Sequence, residues 1–284
     1  MKVKIIVDSC SDIPSEVMKS YDIDMVPLNI TINDRVMLDR VELTPPSYYR
    51  IIEQVGLPIT SSPNLAQWKR SFDAALKDNN YDKLVAITIS SKMSNTYESA
   101  VIAARKFYSE RIKVFDSTLA SAGEGLIALK MRELLDKNYD FETVYSFMEK
   151  LRKEVIQIGF MNTLKMLVKT GRVTKAQNFF ASLIRLKPMI MTVEGENKPL
   201  SNAISLKSAA KKAIKEILKR IDPSLSYTML ITHAEGKEIA ASLQDEIEAR
   251  ISISKSFINY MGPVVGSRVG LGAQLIALIP DKEP

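Results

Sequence analysis

Leu84-Val85-Ala86-Ile87-Thr88-Ile89, followed directly by Ser90-Ser91-Lys92-Met93-Ser94-Asn95-Thr96-Tyr97, is the stretch that decides how this chain is read. A short apolar run closed by a hydroxyl-dense turn, with a helical pattern opening at Glu98, describes a buried strand that hands its end to a helix. The first backbone N–H groups of such a helix lack partners and carry partial positive charge. A carboxylate or phosphate can dock there, and Ser94 or Thr96 can add a hydroxyl donor. The same residues also read as an ordinary N-cap, because Ser and Thr precede many helices that bind nothing.

Outward from this turn, the first half of the chain alternates short strands with helices. Lys2 to Val7 reads as a strand, Pro14 to Ser20 as a helix, and the alternating Val26-Pro27-Leu28-Asn29-Ile30 and the run Ile112 to Phe115 as further strands. This is the grammar of a parallel sheet. Three strand ends carry acids or hydroxyls, namely Asp8-Ser9, Ser90-Ser91 and Asp116-Ser117. Ligands of open α/β sheets bind outside the carboxyl ends of strands, so these ends can line one crevice; Asp at a strand end can equally cap the next helix.

A helix from Glu142 to Lys153 closes the first unit, and Ile156-Gln157-Ile158-Gly159-Phe160-Met161 opens a second. The pattern continues with an amphipathic helix carrying Ala176, Phe179, Phe180, Leu183 and Ile184, a strand Met189 to Val193, and a basic helix. A strand Tyr227 to Thr232, a helix Lys237 to Arg250, and strands around Ser252 to Tyr260 and Leu275 to Ile279 follow. The expected architecture is two α/β domains, residues 1–155 and 156–284, packed along a shared cleft.

Composition bounds the rest. The 284 residues are 46% hydrophobic, enough for a substantial core. One cysteine, Cys10, excludes an internal disulfide framework. The start Met1-Lys2-Val3-Lys4-Ile5-Ile6-Val7 has an apolar stretch too short for a secretory signal, and no run approaches the roughly 18 to 20 residues of a spanning helix. A cytoplasmic protein without an integral membrane segment is expected. The formal charge of +6 favours anionic partners. Its densest concentration, Lys207, Lys211, Lys212, Lys215, Lys219 and Arg220, shares a helix with an apolar face and reads as a solvated surface. No nucleic-acid motif or interleaved aromatics accompany it, so no nucleic-acid partner is expected.

Enzyme chemistry lacks its parts. His233 is the one histidine and follows the strand Met229-Leu230-Ile231-Thr232, where a structural role suits it better than a general base. No HExxH, GxSxG, GxxxxGK[ST] or CxxC pattern occurs. A small-molecule enzyme would have to use Asp8, Asp116 and Ser94, with Mg²⁺ held by the two aspartates if their strand ends converge. Two glycine loops present arginines: Lys169-Thr170-Gly171-Arg172-Val173-Thr174, and Gly266-Ser267-Arg268-Val269-Gly270-Leu271-Gly272. Either guanidinium can form paired bonds to a carboxylate or phosphate.

The order of these pieces resembles the DegV family nearly end to end. The resemblance rests on Val7-Asp8-Ser9-Cys10-Ser11-Asp12-Ile13-Pro14, Thr60-Ser61-Ser62-Pro63, and Ser90 to Ala100. It continues through Asp116-Ser117 with Ser121-Ala122-Gly123-Glu124-Gly125, then Gly171-Arg172-Val173, Leu186-Lys187-Pro188 and Gly262-Pro263-Val264-Val265-Gly266. It implies a bacterial two-domain lipid-binding protein with a long-chain fatty acid between an N-terminal parallel-sheet domain and a C-terminal mixed-sheet domain. It also implies a partner: such proteins are the binding subunits of fatty-acid kinases, whose separate ATP-binding subunit converts the bound carboxylate to an acyl phosphate for phospholipid synthesis. No catalytic residue, metal or cofactor is then expected in this chain.

By position, the resemblance assigns the carboxylate to Thr60, Ser61, Ser94 and Thr96, with Arg172 near the head-group end or the partner surface. Asn95 stands where the family usually has glycine, and its tolerance of left-handed backbone would preserve the turn. Arg268 and Leu271 stand where the family usually has histidine and proline, which leaves a different amphiphilic carboxylate as an alternative ligand. The helix face Phe179, Phe180, Leu183 and Ile184 is the expected tunnel wall, and the 13 methionines would suit an adaptable lining.

Overall fold

A computed structural model describes residues 1–77, 80–108, 110–173 and 186–284. The expected tunnel face, Ala176, Phe179, Phe180, Leu183 and Ile184, lies outside the described residues.

The first sheet pairs β1 (Val3–Asp8), β2 (Ile23–Val26), β6 (Lys83–Thr88) and β7 (Ile112–Asp116), all parallel, in the order β2-β1-β6-β7. Every residue of β1 is buried, as expected of a parallel strand covered on both faces. Its side chains alternate between two cores. Ile6, with Leu84 and Ala86 of β6, packs against Trp68 and Phe72 of α3 (Leu65–Leu76) and Ala100 and Ala104 of α4 (Thr96–Tyr108). Ile5, Val7, Val85 and Ile87 face the opposite way, toward Leu126 and Ile127 of α5 (Ala122–Asp136).

That helix organises the molecule. Eleven of its 15 residues are buried, so it has almost no solvent face. Such a helix must be covered all round, and α5 is: β1 and β6 lie on one side of it, and strands of the second sheet on the other.

The second sheet is mixed, in the order β10-β9-β8-β13-β11-β12, built from β8 (Ile156–Phe160), β9 (Lys187–Val193), β10 (Glu196–Ala203), β11 (Tyr227–His233), β12 (Ile253–Tyr260) and β13 (Gln274–Pro280). All its pairings are antiparallel except β11 with β12. The helix Leu206–Leu218 covers its outer face, burying Ala209, Ala213, Ile214 and Ile217 while Lys207, Lys211 and Lys215 stay exposed. The lysine-rich stripe is thus the solvated side of an amphipathic helix.

Two elements differ from the sequence reading. Val26 to Ile30 is not one strand: Pro27, which lacks an N–H, separates β2 from β3 (Asn29–Ile32), which belongs to a different sheet. There β4 (Arg35–Leu38), β3 and β5 (Ile59–Ser61) pair antiparallel. The β3–β4 turn is made by Asn33 and Asp34, both in left-handed backbone at φ 48° and 60°, as a tight hairpin requires. Strand β10 has no apolar alternation to reveal it. It is a polar edge strand with Pro199 at a register shift, the position where a sheet edge accepts proline.

Candidate functional site

In the parallel sheet, β1 is the strand from which the chain departs in opposite directions, to β2 on one side and to β6 on the other. The switch point between β1 and β6 is where an open α/β sheet leaves a crevice at its carboxyl edge. A cavity of about 660 Å³ lies there. Cys10 after β1 and Ile89 with Ser91 to Asn95 after β6 line it, and Ile190, Val264, Val265, Val269 and Leu275 close it from the other side.

Two carboxylates, Asp8 buried and Asp116 half-buried, hold these loops in place. Asp8, at the end of β1, accepts the N–H groups of Cys10 and Ile89, both at 2.8 Å, and so ties the two strand ends together. Asp116, at the end of β7, accepts the Ser91 hydroxyl at 2.6 Å and the Thr118 N–H at 2.9 Å. Ser90 Oγ donates to the carbonyl of Gly195 at 2.7 Å, fastening the hydroxyl turn to the β9–β10 connection. Among the described residues, no group of three or more His, Cys, Asp or Glu stands together as a metal site. Asp8 and Asp116 each serve the backbone of a loop, which is the capping alternative noted from the sequence.

The helix α4 opens at Thr96, two residues earlier than its periodicity suggests, and its entry carries a hydroxyl cluster. Ser94 Oγ and Thr96 Oγ1 are 2.8 Å apart, Thr96 Oγ1 donates to Ser62 Oγ at 3.3 Å, and Ser62 Oγ lies 3.4 Å from Ser94 Oγ. The Thr96 N–H donates to Ser94 Oγ at 3.3 Å. Ser94 therefore caps the helix and faces the cavity at once. Asn95 lines the exposed rim. It is absent from the positive-φ residues, so the turn closes without the left-handed backbone for which Asn was expected to substitute.

Across from this cluster, the short helix Pro263–Val269 delivers Arg268. Its Nη2 donates to Thr60 Oγ1 at 2.5 Å and its Nη1 to the carbonyl of Pro58 at 3.3 Å. The register Ile30↔Thr60 on β3 positions that hydroxyl. Ser61 also lines the cavity, but strand alternation turns it away from Thr60, and it is Ser62 whose hydroxyl joins Ser94 and Thr96. Arg172 lines the cavity from an exposed turn, after Gly171 at φ 71°; Asn197 Nδ2 donates to its carbonyl at 3.1 Å. Burial, and then the nearby Arg172 guanidinium, lower the pKa of Arg268 from its ordinary value.

The described lining contains Lys92, Arg172 and Arg268 and no carboxylate. Such a rim attracts an anion, and the apolar residues behind it suit a chain rather than a polar body. Lys92, Ser62, Gln157 and Asn197 are lining residues that the sequence reading missed; only Ser62 and Lys92 had a local signal, as neighbours of the residues chosen. Among the described residues, Ser94 Oγ is paired with the hydroxyls of Ser62 and Thr96 and the Thr96 N–H. His233 lies elsewhere: it is buried, its ring centroid 4.4 Å from that of Tyr260, and Nδ1 accepts the Gly236 N–H at 3.4 Å. Burial pushes its pKa down to about 4.

Fold and cavity together define an α/β protein with a cavity at the carboxyl edge of its parallel sheet. The chain belongs to the DegV family, whose model, described as an uncharacterised protein family, matches residues 2–281. A fatty acid-binding protein of Thermotoga maritima is 30% identical over 96% of each chain. The structure of a DegV family protein from Thermus thermophilus, described for its fatty acid binding, superposes with a TM-score of 0.91 at 26% identity, over 99% of this chain and 100% of the other. A DegV family structure from Ruminococcus gnavus, described with vaccenic acid, superposes at 0.87 with 25% identity, over 97% and 99%. Among the described residues, no helix is long and apolar enough to cross a membrane.

Proposed function

We propose that this protein binds a long-chain fatty acid in the switch-point cavity. Its carboxylate lies among Thr60, Ser62, Ser94, Thr96 and Arg268, with Ser61, Asn95 and Arg172 at the rim. One observation carries the reading: among the described residues, a hydroxyl cluster and guanidiniums line one part of the cavity without a counter-carboxylate, and the remaining wall is largely apolar. An ionised head group supplies the missing negative charge, and the acyl chain gains roughly 0.8 kcal/mol for each CH₂ it removes from water. The fatty acids associated with the Thermus and Ruminococcus proteins support the same ligand class.

The finer role, presentation of that carboxylate to a partner, follows the family resemblance noted from the sequence. The partner is an ATP-binding kinase subunit that would form the acyl phosphate for phospholipid synthesis, in the cytoplasm. Residues 1–155 and 156–284 are the two domains of this reading, each contributing one side of the cavity. The test is mass spectrometry of organic extracts from natively purified protein, followed by titration with a fluorescent fatty acid. About one fatty acid per chain is expected; folded protein that neither carries nor accepts one would overturn the reading. Addition of ATP with and without a candidate kinase subunit then tests presentation, with acyl phosphate expected only when both proteins are present.

A further inference from the structure

Three polar side chains stand in a row across the second sheet: Gln157 on β8, Thr192 on β9 and Asn197 on β10. Thr192 and Asn197 are directly opposite each other in the β9–β10 pairing, and Gln157 Nε2 donates to Thr192 Oγ1 from the neighbouring strand at 2.7 Å. Thr192 Oγ1 in turn donates to Asn197 Oδ1 at 3.0 Å. Asn197 Nδ2 donates to the carbonyl of Arg172 at 3.1 Å and lies 3.7 Å from Met93 Sδ. The row thus runs from an interior strand to the rim of the cavity, where its last member meets both the Arg172 turn and a side chain of the turn that carries Ser94.

The direction of each bond in the row is fixed from its outer end. A carbonyl has no hydrogen, so Asn197 must turn its NH₂ to Arg172 and its oxygen to Thr192. The Thr192 hydroxyl must then donate outward and accept from behind, which obliges Gln157 to present its NH₂ as well. Gln157 Oε1 is left facing the other way. Among the described residues it has no hydrogen-bond partner, although Gln157 is only 1% exposed. A buried unpaired acceptor is costly, and the polarity of the row supplies the reason for it. The oxygen lies against Gly123, where a Cβ would overlap it, so the absence of a side chain there leaves the room this orientation needs.

Arg172 follows the short helix Lys165–Lys169, after Gly171 in left-handed backbone. Its N–H donates to the Leu167 carbonyl at 2.8 Å and its guanidinium to the Thr170 carbonyl, and both bonds stay within the turn. The bond from Asn197 ties the turn to the second sheet. We infer that Asn197, held in one orientation by Thr192 and Gln157, is a positioning residue that sets the Arg172 guanidinium at the mouth of the cavity. This rests on the fatty-acid reading for what the guanidinium meets, and adds to it the device that places it. Arg172 is exposed, and a long exposed side chain loses rotamer freedom when it meets an anion; an anchored backbone lowers that cost.

The test uses Thr192→Val, which keeps the branched shape and removes the hydroxyl, Asn197→Leu, which removes the last link, and Thr192→Ser, which keeps the hydroxyl. Two readouts are taken. Amide hydrogen exchange of residues 165–173, without added ligand, should quicken by roughly three- to tenfold in Thr192→Val and Asn197→Leu, the worth of one hydrogen bond, and stay as wild type in Thr192→Ser. Affinity for palmitic acid should fall by a similar roughly three- to tenfold in the first two variants while Arg172 is present, and should not fall further when the same changes are made in Arg172→Ala, because a residue that acts through Arg172 has nothing left to position. Either variant carries both readouts if the other does not fold. Unchanged exchange in the turn, unchanged affinity with Arg172 present, or equal losses in both backgrounds would overturn the positioning role. A wild-type protein that binds no palmitic acid would overturn the fatty-acid reading, while a faster-exchanging turn in the variants would still support the tie.

Discussion

Arg268 Nη2 donates to Thr60 Oγ1 at 2.5 Å, so the helix Pro263–Val269 and the edge strand β5, 208 residues apart in the chain, meet over the cavity. Arg268 thus points inward at the head-group end. Loss of the guanidinium removes a charged donor and leaves the Thr60 hydroxyl without its partner. Arg268→Ala should weaken fatty-acid binding by roughly 1.5 to 3 kcal/mol, the range for hydrogen bonds to charged groups. Arg268→His should add a decline in affinity between about pH 6 and 8 as an imidazole loses its charge, whereas wild type stays level there. Titration of a fluorescent fatty acid at both pH values checks both; curves that overlap wild type would remove Arg268 from the site.

The hydroxyl cluster makes a finer distinction between neighbours. Ser62 Oγ reaches Ser94 and Thr96, and strand alternation directs Ser61 differently. Ser94→Ala and Ser62→Ala should each lower affinity by about 1.5 to 3 kcal/mol, and Ser61→Ala by clearly less. Ser94→Ala should also cost about 1 kcal/mol of stability, because the hydroxyl accepts the Thr96 N–H at the helix entry. Parallel binding and denaturation curves separate the two effects.

Three buried aspartates couple stability to pH. Desolvation is the largest cause of each shift and raises Asp8 to about 6, Asp12 to about 6 and Asp39 to about 7. An unfolded Asp titrates near ~3.9, so between about pH 4 and 7 the folded state binds more protons than the unfolded one. Stability from these groups is present at low pH and is lost as pH rises through their folded pKa values, by at most about 1.4 kcal/mol per pH unit for each. Asp39 Oδ2 accepts the Ser9 hydroxyl at 2.6 Å and Oδ1 the Val264 N–H at 3.2 Å, so in Asp39→Asn the amide oxygen can keep the Val264 bond while the NH₂ group faces Ser9 Oγ, which can accept. Asp39→Asn should flatten the profile above about pH 5. Urea denaturation at several pH values reads the slope; an unchanged slope would refute the assignment.

Glu124 is wholly buried on α5, and among the described residues neither of its oxygens has a hydrogen-bond partner. Burial, with Asp8 and Asp12 nearby, pushes its pKa well up, which favours the protonated side chain. Glu124→Gln, a near isostere of the protonated acid, should therefore fold with stability within about 1 kcal/mol of wild type. Glu124→Lys should unfold the domain or sharply lower its midpoint, because a longer side chain and its ammonium would be forced into a fully buried site. Thermal unfolding followed by circular dichroism compares the two.

Local pattern was sufficient for much of this molecule. The strands β1, β6, β7, β8, β11 and β13 and the two helices over the second sheet announce themselves by apolar runs or helical spacing, because burial of a face imposes that period wherever the element lies. The hydroxyl turn after β6 was equally legible, since strand end, cap and helix start are contiguous. What the chain alone did not display is every relationship that depends on pairing at a distance. Strands β3, β4 and β5 are short and half polar, and only their antiparallel register brings Thr60 and Ser62 to the cavity. Helix α5 shows its role only between two sheets, where its all-round burial finds cover. Gln157 looks like one polar residue in a strand until the fold sets Gly123 and Thr192 against it. Periodicity records which way a side chain faces; the packing of remote elements decides what it faces.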